Sequence, residues 1–197
     1  MVFEDLRKVN RLWSKIYPYL AKQIAEIYQK DFGDVLELGP FSGGLSLELA
    51  GRYPRLNITI ADNSKELLNY FDEEISGLAE NIRTRQTGFA PLVFNDAEFD
   101  LVIIRGAFFF LDEQGGLLRE VFRVIKKGGI AFAGGGFGKA TPKELIDEIS
   151  DESRVLNDRL GRRRLSIEQL KQIIDRAQLA GTCKIVEEGG LWVIVRK

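Results

Sequence analysis

The stretch Val35–Gly44, VLELGPFSGG, constrains the fold of this chain more than any other part of the sequence. Apolar residues lead into Gly39, a glycine-rich turn follows, and the amphipathic segment Leu45–Ala50 begins directly after it. We predict a buried parallel strand that delivers a loop onto the N-terminus of a helix. Such a loop offers backbone N–H groups and the positive end of a helix dipole to a ligand, outside the carboxyl end of a strand in an open α/β sheet.

The same stretch resembles the first motif of class I S-adenosylmethionine (SAM) dependent methyltransferases, in which an acidic residue ends the strand and glycines follow at alternate positions. Glu37, Gly39 and Gly43 match that motif, and Phe41 stands where its middle glycine would be. Ser42 is a candidate N-cap of the following helix. The resemblance implies that this loop contacts SAM through Glu37, Gly39, Phe41 and Gly43.

A second apolar strand, Leu56–Ala61, ends at Asp62 and Asn63. A carboxylate at that place lies across the crevice from the glycine loop and can accept hydrogen bonds from both hydroxyls of a ribose. The alternative is that the pair serves the next helix, for which Asn63 and Glu66 form a candidate capping box. Because strand, loop and acid occur in the order of the family, we favour cofactor binding by Asp62, with Asn63 beside it.

Two later segments complete the predicted cofactor site. The stretch Thr87–Asp100 resembles the family segment that crosses the adenine, with Gly88 where an acid often stands. Phe89 then either lies against the adenine or belongs to the core. The continuous apolar run Asp100–Arg105 predicts a central parallel strand, and Arg105 at its end is the last predicted cofactor-binding residue.

Four aromatic residues are candidates for the substrate pocket. Phe109 and Phe110 stand where small-molecule methyltransferases of this kind often carry histidines, so their replacement makes the predicted pocket apolar and puts acid–base assistance in doubt. Tyr17 and Tyr19 lie where two N-terminal helices are predicted to meet, and they are candidates for the mouth of the pocket. For Trp13, on the apolar stripe of the first helix, we predict packing alone.

The remaining elements follow the order of the same family. We predict a helix over Gln114–Lys127 ended by Gly128 and Gly129, a fifth strand over Ile130–Ala133, a last helix over Ser166–Leu179 with Ser166 and Gln169 as a capping box, and a terminal hairpin formed by Cys183–Glu188 and Leu191–Val195. The predicted fold is α/β: the class I methyltransferase (Rossmann-like) fold, with a seven-stranded, mostly parallel sheet, a C-terminal antiparallel hairpin and helices on both faces.

The length, charge and cysteine content of the chain indicate its domain organisation, its partners and its location. The 197 residues suffice for a single domain, which we divide into an N-terminal helical cap (1–33) and the sheet with its helices (34–197). The net charge is −1, so a nucleic-acid partner is not expected, and no apolar run approaches the length of a membrane span. The single cysteine, Cys183, suggests a reducing compartment, and we expect a cytoplasmic location.

The functional prediction is a SAM-dependent methyltransferase with a small, partly apolar substrate. The chain has no histidine, so we expect no metal site, and no catalytic residue can be named. One alternative is a SAM- or nucleotide-binding protein of the same fold without transferase activity, and another is a nicotinamide-dependent oxidoreductase. A basic run, Arg159 with Arg162, Arg163 and Arg164, is either a solvated face or a site for an anionic group of the substrate.

Overall fold

The computed structural model describes residues 2–39, 43–75, 77–161 and 163–197. Within these ranges the chain forms seven α-helices, which are α1 (Val2–Trp13), α2 (Tyr17–Tyr28), α3 (Gly44–Arg52), α4 (Lys65–Ile75), α5 (Gly116–Val124), α6 (Lys143–Arg159) and α7 (Ile167–Arg176). It also forms seven strands, which are β1 (Phe32–Leu38), β2 (Arg55–Asp62), β3 (Ile82–Gln86), β4 (Phe99–Arg105), β5 (Ile125–Gly136), β6 (Cys183–Val186) and β7 (Gly190–Arg196).

The strands form one sheet in the order β3-β2-β1-β4-β5-β7-β6. The pairs from β3 to β5 are parallel, whereas β7 pairs antiparallel with both β5 and β6. The predicted sheet with its terminal hairpin is therefore confirmed. Chain order reverses between β1 and β4, and a crevice opens at such a reversal, outside the carboxyl ends of the strands.

Helices cover both faces of the sheet. The capped face, as we call it, packs against α1, α2, α3, α4 and α6 through residues such as Ile60 and Ile103. The opposite face packs against α5 and α7 through residues such as Leu36 and Val102. Successive strand residues alternate between the two faces, so parity along β1, β2 and β4 decides which side chains reach the capped face.

The N-terminal and C-terminal helices follow the sequence prediction closely. The two helices of the cap meet at residues 14–16, and Pro18 occupies the first turn of α2, where its missing N–H leaves no helical bond unmade. At α7, the hydroxyl of Ser166 accepts from the N–H of Gln169, whose side chain accepts from the N–H of Ser166. The capping box predicted for the last helix is confirmed.

Several predicted boundaries and one predicted cap are wrong; the last helix, for example, ends at Arg176 and not at Leu179. Helix α5 ends at Val124 and β5 begins at Ile125, whereas the sequence predicted helix as far as Lys127. Ile125 is fully buried and pairs with Phe99, so sheet pairing overrides the helical periodicity there. At α4, the hydroxyl of Ser64 accepts from the N–H of Leu67, so Ser64 caps this helix in place of the predicted box of Asn63 and Glu66.

Candidate cofactor site

Three buried charged side chains meet at the carboxyl ends of three neighbouring strands. Glu37 on β1, Asp62 on β2 and Arg105 on β4 are 2%, 4% and 7% exposed, and among the described residues no other charged side chain is buried. All three share the parity of the residues that face α1, α2 and α3. Since burying a charge is costly, their convergence at one crevice indicates a site built for a ligand with charged groups.

Glu37 and Arg105 form an electrostatic pair. The hydroxyl of Ser46, on α3, donates a hydrogen bond to Oε2 of Glu37. Burial raises the pKa of the Glu37 carboxyl, while the Ser46 hydroxyl and the Arg105 guanidinium act in the opposite direction. The Arg105 guanidinium lies 4.3 Å from the ring centroid of Trp13 and 5.4 Å from that of Tyr17.

Asp62 ends β2 on the other side of β1. The N–H of Ser64 donates to its Oδ1 at 2.8 Å, which fixes the plane of the carboxylate. Burial raises the pKa of Asp62, and the backbone N–H groups of Ser64 and Asn63 oppose that shift. The carbonyl oxygen of Asp62 accepts from the N–H of Thr87 at 2.9 Å, so the start of the segment after β3 is held beside the acid.

The two glycines that border the loop, Gly39 and Gly43, both have positive φ. Gly39 has φ 60° and Gly43 has φ 67°, a region that favours glycine, and Gly43 directly precedes α3. The N–H of Gly39 donates to the carbonyl of Ala61 at 2.8 Å, which joins the end of β1 to the end of β2. Phe41 and Ser42 lie outside the described residues.

Two predicted aromatic residues form one surface over the loop. The rings of Phe89 and Phe110 stack with centroids 4.3 Å apart. A Cβ added to Gly39 would lie 2.6 Å from Cε2 of Phe110, so this ring rests directly on the glycine backbone. The sequence placed Phe89 either against the adenine or in the core and made Phe110 a candidate for the substrate pocket; in the structure their rings lie side by side.

The other predicted residues differ in their relation to the crevice. Tyr17 is buried with its ring near Arg105, whereas Tyr19 is half-buried on α2. Phe109 is half-buried with its ring centroid 6.2 Å from that of Phe110. Gly88 and Asn63 are exposed at the rim.

Sequence reasoning missed one contact of the buried Arg105. Trp13 is buried as predicted, and its ring also faces the buried Arg105 guanidinium. The available signals were its place four residues before Tyr17 in the N-terminal segment and an arginine at the end of a central strand. Neither feature showed alone that the N-terminal helices cross the end of β4.

Comparisons with known proteins find similarity to methyltransferases. Residues 35–129 match the family described as Methyltransferase domain. The chain is 25% identical to malonyl-[acyl-carrier protein] O-methyltransferase 2 of Ilyobacter polytropus, over 87% of this chain and 69% of that protein. It is 31% identical to malonyl-[acyl-carrier protein] O-methyltransferase of Geobacter sulfurreducens, over 56% of this chain and 41% of that protein.

A solved structure covers almost the whole chain. It is assigned as a SAM-dependent methyltransferase from Methanococcus maripaludis, with a TM-score of 0.84 and 27% identity, and the match covers 99% of this chain and 91% of that one. The matched family, the curated relatives and this structure together support a class I SAM-dependent methyltransferase. Its cofactor is therefore SAM, and the nicotinamide alternative is set aside.

The residues of the crevice fit this cofactor. SAM carries ribose hydroxyls, an ammonium, a carboxylate and a positively charged sulfonium. The strand ends offer two buried carboxylates and one guanidinium, and the ring of Phe110, stacked on Phe89, lies against Gly39 at the end of β1; aromatic faces attract a cation. The donor set of the site thus has a partner for each charged group of the cofactor.

Proposed function

We propose that this methyltransferase acts on a small, partly apolar acceptor, which it holds in line with the methyl donor while it excludes water. The observation that carries the proposal is the set of three buried charges, Glu37, Asp62 and Arg105, at the carboxyl ends of neighbouring strands. When bound, SAM supplies a methyl group already activated by its sulfonium. The protein then contributes chiefly alignment.

Each charged residue has a proposed role toward the cofactor. The carboxylate of Asp62 would accept hydrogen bonds from the two ribose hydroxyls, since its Oδ1 is already oriented by Ser64. Glu37 would hold the ammonium and Arg105 the carboxylate of the methionine part, which pairs each charge with its opposite in a site of low dielectric.

The other predicted contacts with the cofactor come from the glycine loop and from the rim of the crevice. Gly39, Phe41 and Gly43 would present backbone groups to the methionine end, with α3 starting directly after Gly43. Asn63, Gly88 and Phe89 would border the adenine, since Thr87 is held against Asp62.

The acceptor must supply its own nucleophile. The chain has no histidine, and Phe109 and Phe110 offer no proton acceptor where the family often has one. Without a base, the attacking atom of the acceptor must already have a free lone pair, as in a carboxylate, a phenolate, a thiolate or an unprotonated amine. Because two relatives are named O-methyltransferases, oxygen acceptors belong among the first probes.

The test is a pH–rate profile with labelled SAM and three probes of similar size: a carboxylic acid, a phenol and a thiol. For each accepted probe, we expect the rate to rise through the acid constant of that probe, because deprotonation is left to the acceptor. A rising limb shared by all probes would mean that an enzyme group acts as the base. Methylation of proteins or nucleic acids alone would contradict the proposal of a small acceptor.

The proposal also covers the domain organisation, the location and the partners of the enzyme. We propose that residues 1–197 act as one domain in the cytoplasm, without a nucleic-acid partner, which the net charge of −1 and the single cysteine support. None of the described helices has the length and apolar character needed to cross a membrane.

A further inference from the structure

The N-terminal helices reach into the charged crevice through two aromatic rings. Trp13 ends α1 and Tyr17 begins α2, so both rings lie at the junction of the two helices. Their centroids are 4.3 Å and 5.4 Å from the Arg105 guanidinium carbon. All three side chains are buried, which strengthens an attraction between a cation and an aromatic face.

The two rings are themselves held in place. Nε1 of Trp13 donates to the hydroxyl of Ser153 on α6 at 2.9 Å, and the ring stacks on Phe137 with centroids 5.0 Å apart. The hydroxyl of Tyr17 donates to Oδ1 of Asn10 on α1 at 2.8 Å. Each ring is therefore fixed by a hydrogen bond that does not involve Arg105.

The same junction also touches the helix that follows the glycine loop. A Cβ added to Gly44, the first residue of α3, would clash with the ring of Tyr17 and lie 2.8 Å from Oδ1 of Asn10. The cap thus packs closely on both sides of the crevice, at the start of α3 and at the end of β4.

We propose that Trp13 and Tyr17 are positioning residues, which orient the Arg105 guanidinium toward the carboxylate of the cofactor. The N–H groups of a guanidinium lie in its plane, so aromatic rings against its faces do not compete with an anion at its edge. The inference rests on the role proposed above for Arg105, and it makes the N-terminal helices a part of the cofactor site.

A second buried tryptophan provides a matched control. Trp192 on β7 is 1% exposed, belongs to the same core cluster on the capped face, and stacks on Phe132 with centroids 4.3 Å apart. In the described part of the chain, the cation–aromatic contacts of Arg105 are with Trp13 and Tyr17, not with Trp192. Substitution of Trp192 therefore removes packing without removing a contact to the guanidinium.

The test compares two ligands by calorimetry: S-adenosylhomocysteine and 5′-methylthioadenosine, which lacks the amino-acid part. For Trp13→Leu, we expect affinity for S-adenosylhomocysteine to fall three- to tenfold, with affinity for methylthioadenosine changed by less than twofold. Trp13→Phe, which keeps an aromatic face, should recover most of the loss. Trp192→Leu should lower the melting temperature and leave the ratio of the two affinities unchanged.

Tyr17 extends the test if Trp13→Leu fails to fold. Tyr17→Leu should lower the ratio of the affinity for S-adenosylhomocysteine to that for methylthioadenosine. Tyr17→Phe, which keeps the ring and loses the hydroxyl bond to Asn10, should lower this ratio less. Equal weakening of both ligands, or an equal change of the ratio in Trp192→Leu, would overturn the positioning role.

A separate outcome concerns the proposed function. If Arg105→Gln leaves the ratio of affinities unchanged, the assignment of Arg105 to the carboxylate is wrong, and the inference falls with it. If Arg105→Gln lowers the ratio while the Trp13 and Tyr17 variants do not, the proposed function stands and only the positioning role is overturned.

Discussion

The two faces of the sheet bury different kinds of side chains. The capped face carries Glu37, Asp62 and Arg105 at the carboxyl ends of its strands, and all three are buried. On the opposite face, the core against α5 and α7 is formed by apolar residues, and no described charged residue is buried there. Both faces come from the same strands, so the difference depends on the parity of each residue and not on the strand that carries it.

This difference indicates which buried residues stabilise the fold and which bind the ligand. Replacing a buried ion pair by apolar residues of similar volume is often neutral or stabilising, so charges in a core are weak evidence for a structural role. The opposite face shows that this sheet packs well without them. The charges of the capped face are therefore best explained by the ligand that the crevice binds.

The largest expected effect is that of Arg105→Leu. In this variant the buried Glu37 carboxylate no longer has the opposite charge of Arg105. We therefore expect the free energy of unfolding at pH 7 to fall by about 3–5 kcal/mol. The pKa of Glu37 should rise further, since Arg105 lowers it in the wild type. A raised carboxyl pKa makes the folded state bind the proton more tightly, so the loss should shrink as the pH falls.

A variant of the opposite face sharpens this result. Leu36→Ala deletes apolar contacts of a fully buried residue and should cost about 2–5 kcal/mol at every pH. The double variant Arg105→Leu/Glu37→Gln should recover much of the stability at pH 7. Urea unfolding between pH 4 and 8 measures all three, and a loss in Arg105→Leu that does not vary with pH would count against the electrostatic pair.

Asp62→Ala should abolish a large part of cofactor binding. Each charge-assisted hydrogen bond contributes roughly 1.5–3 kcal/mol, so affinity for S-adenosylhomocysteine should fall at least tenfold while the fold persists. Asp100→Ala is the control, because this acid lies near the start of β4 and its carboxylate pairs with Lys126 at 2.7 Å. Calorimetry should show near wild-type affinity for the control, and equal affinity in both variants would exclude the ribose role.

We expect Asp62→Asn to be slightly more stable than the wild type at pH 7. Burial holds the pKa of Asp62 in the folded state above its ordinary value in the unfolded chain. The free energy of unfolding therefore falls as the pH rises between these two pKa values, and it is constant above the higher one. The neutral amide avoids this cost and can still accept from Ser64. We expect a gain of about 0.5–1 kcal/mol at pH 7 that vanishes at low pH. Lower stability than wild type at pH 7 in urea unfolding would refute this account of Asp62.

The smallest effect is expected from the arginine run. Arg163 and Arg164 are exposed, with ion-pair distances of 3.9 Å to Glu113 and 3.4 Å to Asp158, and Arg162 lies outside the described residues. Their joint replacement by glutamine should leave affinity for S-adenosylhomocysteine within twofold and stability within about 0.5 kcal/mol. Cofactor affinity that falls with the charge removed would place the run at the crevice after all.

Much of the fold could be predicted because several signals agreed. The strand before Gly39, the acid after β2 and the terminal hairpin each have a local pattern, and their order excluded most other sheets. Where two patterns competed, prediction failed: Ile125 continues the helical periodicity of α5, and only its pairing with Phe99 shows that it belongs to β5. The prediction of the N-cap of α4 was wrong for a similar reason, because three adjacent residues before this helix, Asp62, Asn63 and Ser64, can each act as an N-cap.

The candidate site was predicted only as separate pieces. Charged residues at the ends of strands can be read from a sequence, and Glu37, Asp62 and Arg105 were all named in advance. Contacts between distant segments cannot be read in that way. The rings of Trp13 and Tyr17 over Arg105, and the stack of Phe89 on Phe110, depend on how the cap and the loops cross the strand ends.

A crystal structure of the complex with S-adenosylhomocysteine tests the central claim most directly. The account predicts both ribose hydroxyls within about 2.6–3.2 Å of the Asp62 carboxylate, and the carboxylate of the ligand hydrogen-bonded to the Arg105 guanidinium beneath Trp13 and Tyr17. A ligand whose ribose lies away from Asp62, or whose carboxylate binds elsewhere while Arg105 keeps its place beside Glu37, would contradict it.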